Sequence, residues 1–253
     1  MISIILNGAL GHMCRVVAAL VEKNPDMQVA FGIDKNYNGA AAGFPVYRST
    51  AEVPEEATGD VIIDFSHFTA VPDILDFAYN KALPIVVCTT ALEPGAKEKM
   101  KSFSEKIPVF FSANMSLGIC VLKKLARQAA EALGDDFDIE IVERHHNRKI
   151  DAPSGTALAI ADAINEGLEG RFDYIYDRHE RHEKRSKNEI GIASVRGGNI
   201  VGDHEVIYAG PNEVIEITHR AQSRDVFADG AIKAAGFLKG KPAGMYSMED
   251  IIG

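Results

Sequence analysis

Ile2-Ser3-Ile4-Ile5-Leu6-Asn7-Gly8-Ala9-Leu10-Gly11-His12-Met13-Cys14-Arg15-Val16-Val17-Ala18-Ala19-Leu20-Val21 decides the fold. Residues 2–6 are apolar and rich in β-branched side chains, the composition of a buried strand. Residues 8–11 turn the chain, and Val16, Val17, Leu20 and Val21 then recur at helical spacing. Where a strand, a glycine turn and a helix follow one another, backbone N–H groups and the positive helix end can hold a pyrophosphate. Gly8, Ala9, Leu10, Gly11, His12 and Met13 are therefore candidate nucleotide-binding residues. A glycine pair alone says little, because any tight turn favours glycine; the flanking strand and helix give it weight.

Outward from this unit, residues 27–33, 61–65, 85–88 and 109–111 also predict strands, and residues 71–82 and 94–105 predict helices between them. Strands apolar on both faces, alternating with helices, predict a mostly parallel α/β sheet of Rossmann-like type. Asp34 follows the second strand, 26 positions after Gly8, where a carboxylate can accept hydrogen bonds from adenosine ribose hydroxyls and so favour NADH. Lys35 is next and can meet a 2′-phosphate, so NADPH stays open. Cys88-Thr89-Thr90 and Ser112-Ala113-Asn114-Met115 end later parallel strands, beyond which ligands of open α/β sheets sit. Cys88 has no assigned base beside it and reads as an inert small residue rather than a nucleophile.

After Asn114 the pattern changes. A helix over 117–133 leads to 138–143, whose charged and apolar residues alternate as in a strand with one open face. A helix over 157–164 and strands over 189–195, 205–208 and 214–219 complete a largely antiparallel α+β pattern. An amphipathic helix over 227–238 is expected to return to the first domain. The expected division is a dinucleotide-binding domain of 1–114 plus 219–253 and an inserted domain of 115–218. The polar run 178–187 predicts a mobile, solvated loop.

The formal charge of −9 argues against nucleic acid as a partner, which requires clustered Lys and Arg. Three cysteines without paired spacing predict reduced thiols in the cytoplasm. No apolar run approaches the ~20 residues that span a bilayer, so no membrane partner is expected. The N-terminus lacks the basic lead of a signal peptide.

Arg144-His145-His146-Asn147-Arg148-Lys149 is the one concentrated basic patch, and Asp151-Ala152-Pro153-Ser154-Gly155-Thr156 leads from it into a helix. Ser154 predicts the helix cap, so Gly155 and Thr156 stand at a positive helix end where a carboxylate can bind. Imidazoles, an ammonium and that helix start together predict an anion site with an acid nearby. A metal is the rival use of adjacent histidines, but no H-E-x-x-H pattern or Cys pair accompanies them and the neighbouring cations repel one, so none is expected. Ser154 lacks the G-x-S-x-G context of a nucleophile.

The stretch His145-His146-x-x-Lys149-x-Asp151-Ala152-Pro153-Ser154-Gly155-Thr156-Ala157 resembles the signature of the dihydrodipicolinate reductases, now called 4-hydroxy-tetrahydrodipicolinate reductases. Residues 8–13, Thr89-Thr90, Asn114-Met115-Ser116-Leu117-Gly118, Arg196-Gly197-Gly198, Gly202-x-His204 and Thr218-His219-Arg220-Ala221-x-Ser223-Arg224 are similar to further family patterns. The resemblance implies an NADH- or NADPH-dependent reductase of a small cyclic dicarboxylate in the diaminopimelate route to lysine. It further implies a homotetramer formed by the inserted domain, His145 and Lys149 as the proton-donating pair, and His146, Gly155 and Thr156 as substrate-binding residues. The loops at Gly8, Asp34, Cys88 and Ser112 would bind cofactor, the two half-sites meeting by domain closure. His12 replaces the family's usual arginine, Cys14 a frequent third glycine, and Cys88 the first glycine of a G-T-T loop. Loss of that arginine weakens the case for NADPH preference and favours NADH or dual use. Rival expectations are a different two-domain dehydrogenase and a nucleotide-sensing regulator without turnover.

Overall fold

Ile4, Ile5 and Leu6 are fully buried, so both faces of the first strand are covered, as their uninterrupted apolar run requires. The computed structural model describes residues 1–253. In chain order the strands and helices are β1 (Ile2–Asn7), α1 (His12–Glu22), β2 (Met27–Ile33), β3 (Val46–Tyr47), β4 (Val61–Asp64), α2 (Val71–Asn80) and β5 (Ile85–Val87). They continue with α3 (Pro94–Phe103), β6 (Pro108–Phe111), α4 (Leu117–Leu133), β7 (Asp138–His145), α5 (Gly155–Gly167), β8 (Asp173–Ile175) and β9 (Glu189–Arg196). The last are β10 (Gly202–Ala209), β11 (Val214–Ala221), α6 (Asp225–Leu238), β12 (Gly244–Tyr246) and α7 (Met248–Ile252).

The chain divides into two compact units, one of residues 1–117 with 225–253 and one of residues 118–224. The first holds a seven-stranded sheet in the order β12-β6-β5-β4-β1-β2-β3. Every pairing in it is parallel, with Ile4 opposite Val61 and Val86 opposite Phe110. α1 and α6 pack together, α6 also reaching β4, β5 and β6, while α2 packs with α3. One core cluster joins Ile62, Ile85 and Val87 to Ile74, Leu75 and Met100. Burying each such side chain contributes about 1.5–3 kcal/mol. The short strands β3, β8 and β12 went unforeseen because two or three residues carry no readable period.

The second unit holds a five-stranded sheet in the order β11-β10-β7-β9-β8. Its pairings are mixed: β10 runs antiparallel to β7 and β11, but β7–β9 and β8–β9 are parallel. The largely antiparallel expectation is corrected by α5, since a strand followed by a helix returns parallel to its start. Ile119, Leu122 and Ala126 of α4 and Ile160 and Ile164 of α5 cover one face through Ile139, Ile141, Val206 and Tyr208. β11 pairs with β10 through Ala221, so the expected boundary at 219 falls inside a strand.

The polar segment 178–187 is largely exposed, as expected, but three of its arginines pin it to the sheet. Arg178 donates to Glu140 Oε1 at 2.7 Å and to Glu189 Oε1 at 2.9 Å, and Arg181 donates to Glu189 Oε2 at 2.9 Å. Arg185 donates to Glu140 Oε1 at 3.0 Å and to the Glu189 carbonyl at 2.6 Å. These arginines neutralise acidic residues of β7 and β9 that composition alone could not place. No helix is long and apolar enough to cross a membrane.

Candidate functional site

In the first unit, β1 is followed at once by Gly8, whose φ of +79° falls in the left-handed region. A Cβ there would stand 2.8 Å from the Phe65 carbonyl oxygen, so glycine is needed for both conformation and space. The loop amides are largely consumed within the protein. Gly8 and Ala9 donate to the Ile33 carbonyl, Gly11 to that of Gly8, and Leu10 to Asp34 Oδ2 at 2.9 Å. The first helical amide to find a carbonyl a turn back is that of Arg15, on Gly11. The N–H groups of His12, Met13 and Cys14, at the start of α1, thus find no carbonyl a turn back, and those of His12 and Met13 come first toward an anion.

Asp34 is nearly buried and its other oxygen accepts the Asn36 N–H at 2.9 Å. Its carboxylate therefore ties the glycine loop to the end of β2 and retains acceptor capacity. A cavity of about 830 Å³ opens here, lined among others by Leu10, Gly11, Arg15, Asp34, Asn36 and Phe44. Lys35, the cation anticipated for this position, does not line it; Arg15 does, one helical turn into α1. Size, a helix start, an acceptor and a cation together suit a dinucleotide.

The other anticipated cofactor residues divide by exposure. Thr90 and Ala113 are exposed at the ends of β5 and β6. Cys88 and Met115 are buried core residues, and burial pushes the Cys88 thiol well up, with the Asp64 carboxyl adding to it, so it is no nucleophile. The Thr89 hydroxyl donates to Asp64 Oδ2 at 2.7 Å, and the Ser112 hydroxyl to the Asn114 carbonyl at 2.7 Å. Asn114 Oδ1 accepts the Ser116 N–H at 2.8 Å. These side chains shape the strand ends from within.

In the second unit the alternation of β7 puts Ile139, Ile141, Glu143 and His145 on the buried face. Glu143 is fully enclosed. Arg196 on β9 grips it with two 2.7 Å bonds, one to each oxygen. His145 Nδ1 lies 2.6 Å from Oε2, and the Ser154 N–H donates to Oε1 at 3.1 Å. Burial alone would raise this carboxyl, but hydrogen bonds from Arg196, His145 and Ser194 hold it down at about 2.

Ser154 caps α5, its hydroxyl accepting the Ala157 N–H at 3.1 Å, so Gly155 and Thr156 open the helix at its positive end. The same hydroxyl meets His204 Nε2 of β10 at 3.0 Å. Burial, then the neighbouring His145, push His204 down to about 3, so it is neutral. Its ring stands edge-on to that of His145 at 5.1 Å. His146 Nε2 faces Arg224 at 3.3 Å, and burial with Arg148 and Arg224 lowers its basicity. Lys149 pairs with Asp151 at 2.8 Å, its ammonium part-buried and Asp151 largely open. One neutral imidazole, one imidazole on a carboxylate, two further cations and a helix start thus surround a single patch. No group of three His, Cys, Asp or Glu side chains is placed to hold a metal ion.

Glu143, Arg196, His204 and Arg224 were not among the anticipated site residues, nor was Arg15. For Glu143 a signal existed: its phase in the alternation matches the buried isoleucines, not the exposed acids. The others depend on partners distant in sequence.

The profile described as dihydrodipicolinate reductase, N-terminus, matches residues 2–115, and that described as dihydrodipicolinate reductase, C-terminus, matches residues 118–252. The 4-hydroxy-tetrahydrodipicolinate reductase of Caldanaerobacter subterraneus subsp. tengcongensis is 52% identical over 252 residues, covering 100% of this chain and 98% of that one. That of Clostridium tetani is 45% identical over 249 residues, covering 98% and 96%. Among solved structures, dipicolinate-bound dihydrodipicolinate reductase from Paenisporosarcina sp. TG-14 shares the fold with a TM-score of 0.83, at 22% identity and 99% coverage of each chain.

Proposed function

The chain belongs to the dihydrodipicolinate reductase family and reduces 4-hydroxy-tetrahydrodipicolinate in the diaminopimelate route to lysine; we propose that its His145 cluster holds and protonates the ring. The family's nucleotide cofactor, when bound in its reduced nicotinamide form, supplies a hydride to C4 of the conjugated imine left as the hydroxy substrate loses water. The electron pair displaced through the conjugated system then needs a proton, which His145 or Lys149 gives and solvent replaces. Lys149, Arg224 with His146, and the Gly155-Thr156 helix start offset the two substrate carboxylates. The observation carrying this is the Glu143-backed imidazole of His145, followed four residues on by the part-buried ammonium of Lys149.

For the cofactor, the His12 and Met13 amides suit a pyrophosphate, and the cavity at Asp34 offers two recognitions at once. Asp34 can accept a ribose hydroxyl, and Arg15 can meet a 2′-phosphate, which supports use of both NADH and NADPH. The residues named at Cys88, Thr89, Ser112, Asn114 and Met115 support the cofactor loops from behind, leaving contact to Thr90 and Ala113. The three buried free thiols are in keeping with a cytoplasmic location. For the homotetramer, the face of the second sheet opposite its core supplies a surface: Val142 and Ile207 lie on it beside Val195 and Val214, which are 44% and 57% exposed. Sedimentation should return four copies.

Absorbance at 340 nm with enzymatically generated substrate tests the reading. His145→Ala and Lys149→Ala, correctly folded, should each lose ~10²-fold or more in kcat. Near-normal kcat in both overturns the assignment.

A further inference from the structure

We propose that Glu143 is a positioning residue for the reduction: it commits Nδ1 of His145 as a hydrogen-bond donor and leaves Nε2 as the one nitrogen that hands over the proton. The inference rests on His145 being a proton donor, as proposed above.

The acceptor-only chemistry of an ionised carboxylate carries it. A neutral imidazole has two tautomers, and in solvent it samples both. At 2.6 Å from Nδ1, Glu143 Oε2 cannot donate, so the proton must sit on Nδ1. Glu143 is kept in that ionised form by Arg196, whose two 2.7 Å bonds reach both oxygens, and by the Ser154 N–H at 3.1 Å. The carboxylate cannot rotate away without breaking three further bonds from two separate segments. Such a buttressed partner sets the tautomer and orientation of an imidazole.

The other side of the ring is also fixed. Nε2 of His145 makes no hydrogen bond within the protein, and a Cβ on Gly202 would stand 3.0 Å from it. Strand β10 thus approaches with bare backbone at the edge of the ring that must stay open. The nearest imidazole, His204, meets the ring edge-on at 5.1 Å and turns its Nε2 to Ser154, making no hydrogen bond to His145.

The proton balance follows. In the charged form His145 carries protons on both nitrogens, so with Glu143 negative and Arg196 positive the three groups carry one net positive charge, and they become neutral once Nε2 gives up its proton. The Nε2–H bond breaks as a C–H bond forms on the reduced ring, leaving the Nδ1–H tautomer, and solvent restores the proton at Nε2. No ring flip intervenes between turnovers.

Glu143→Gln is the decisive variant because it keeps shape and removes the acceptor-only property. Arg196 will hold the amide oxygen, turning the amide NH2 toward Nδ1, which must then accept. The neutral His145 should move from the Nδ1–H to the Nε2–H tautomer, read from two-bond nitrogen couplings in 15N-histidine-labelled protein. Of the eight histidines, its signals are identified by their loss in His145→Gln. With that change kcat should fall between ~10²- and ~10⁴-fold, the wrong-tautomer range, while KM stays within ~3-fold. A folded Glu143→Gln protein that retains Nδ1–H overturns the proposal. So does an unaltered kcat. If the variant does not fold, the labelled parent protein decides: a neutral His145 found as the Nε2–H tautomer overturns it equally. Near-normal kcat in His145→Ala would instead sink the donor assignment and leave the tautomer result standing.

Discussion

Asp64 in the first unit and Glu143 in the second are both fully enclosed carboxyls on strands, and their surroundings treat them in opposite ways. Asp64 has only neutral partners: the Asn7 amide at 2.7 Å, the Thr89 hydroxyl at 2.7 Å and the Ser66 N–H at 3.2 Å. Burial dominates, and it raises Asp64 above the usual carboxylate range against the pull of those hydrogen bonds. Glu143 is as closed to solvent but less deeply surrounded, and with hydrogen bonds from Arg196, His145 and Ser194 it ends at about 2. Enclosure therefore does not determine charge; the charge of the partner does. The difference suits the ligands proposed for each unit. A carboxyl that can keep its proton adds no fixed negative charge beside a pyrophosphate loop. A carboxylate already matched by arginine can back a histidine without repelling a dianion.

The comparison breaks most visibly at Arg196. Arg196→Met strands an enclosed charge and should cost the second unit ~3 kcal/mol or more, measured by urea denaturation. Asp64→Asn, which removes no ion pair, should cost about 1 kcal/mol. Equal losses would erase the distinction.

Acid should sharpen it next. His204 is held at about 3, below its ordinary 6.5, so the unfolded chain takes a proton that the fold refuses. Its contribution is complete above pH 6.5 and declines as pH falls toward 3, by about 2 kcal/mol between pH 7 and 5. Glu143 adds a loss that begins near 4.5 and runs through about 2. Asp64, raised in the fold, holds its proton more tightly when folded and so favours the first unit as acid is added. Hydrogen exchange, corrected for intrinsic rate, should show the second unit weakening first between pH 7 and 4; the reverse order contradicts the contrast.

Two smaller effects refine it. Ser154→Ala removes the α5 cap and the His204 partner together and should lower melting stability by about 1 kcal/mol. Arg15→Gln should weaken NADPH binding roughly fivefold in calorimetry and leave NADH unchanged. An equal loss for both nucleotides would remove Arg15 from 2′-phosphate recognition.

Much of the fold was legible because its signals are local. The apolar run of β1, the glycine turn, the 3.6-residue recurrence of α1 and α6, and the Ser154 cap each lie within a few residues of chain. The mixed sheet of the second unit was not, since a strand's direction depends on which neighbour it finds. The arginines of 178–187 read as solvated for the same reason: their partners Glu140 and Glu189 belong to strands β7 and β9. At the site, His145, Lys149 and the helix start could be named from residue types. Lys35 was named as a 2′-phosphate cation and Arg15 was not, because proximity to Asp34 in sequence stood in for proximity in space.

By itself the sequence determined periodicity, turn chemistry and the basic cluster with its capped helix, since backbone sterics and side-chain spacing act over one or two turns. Only the tertiary structure decided which polar groups satisfy one another. Asn7 meets Asp64 57 residues away, Glu143 meets Arg196 across 53, and Ser154 meets His204 across 50. A buried polar group must find a partner or lose its hydration uncompensated, and packing alone brings such partners within reach.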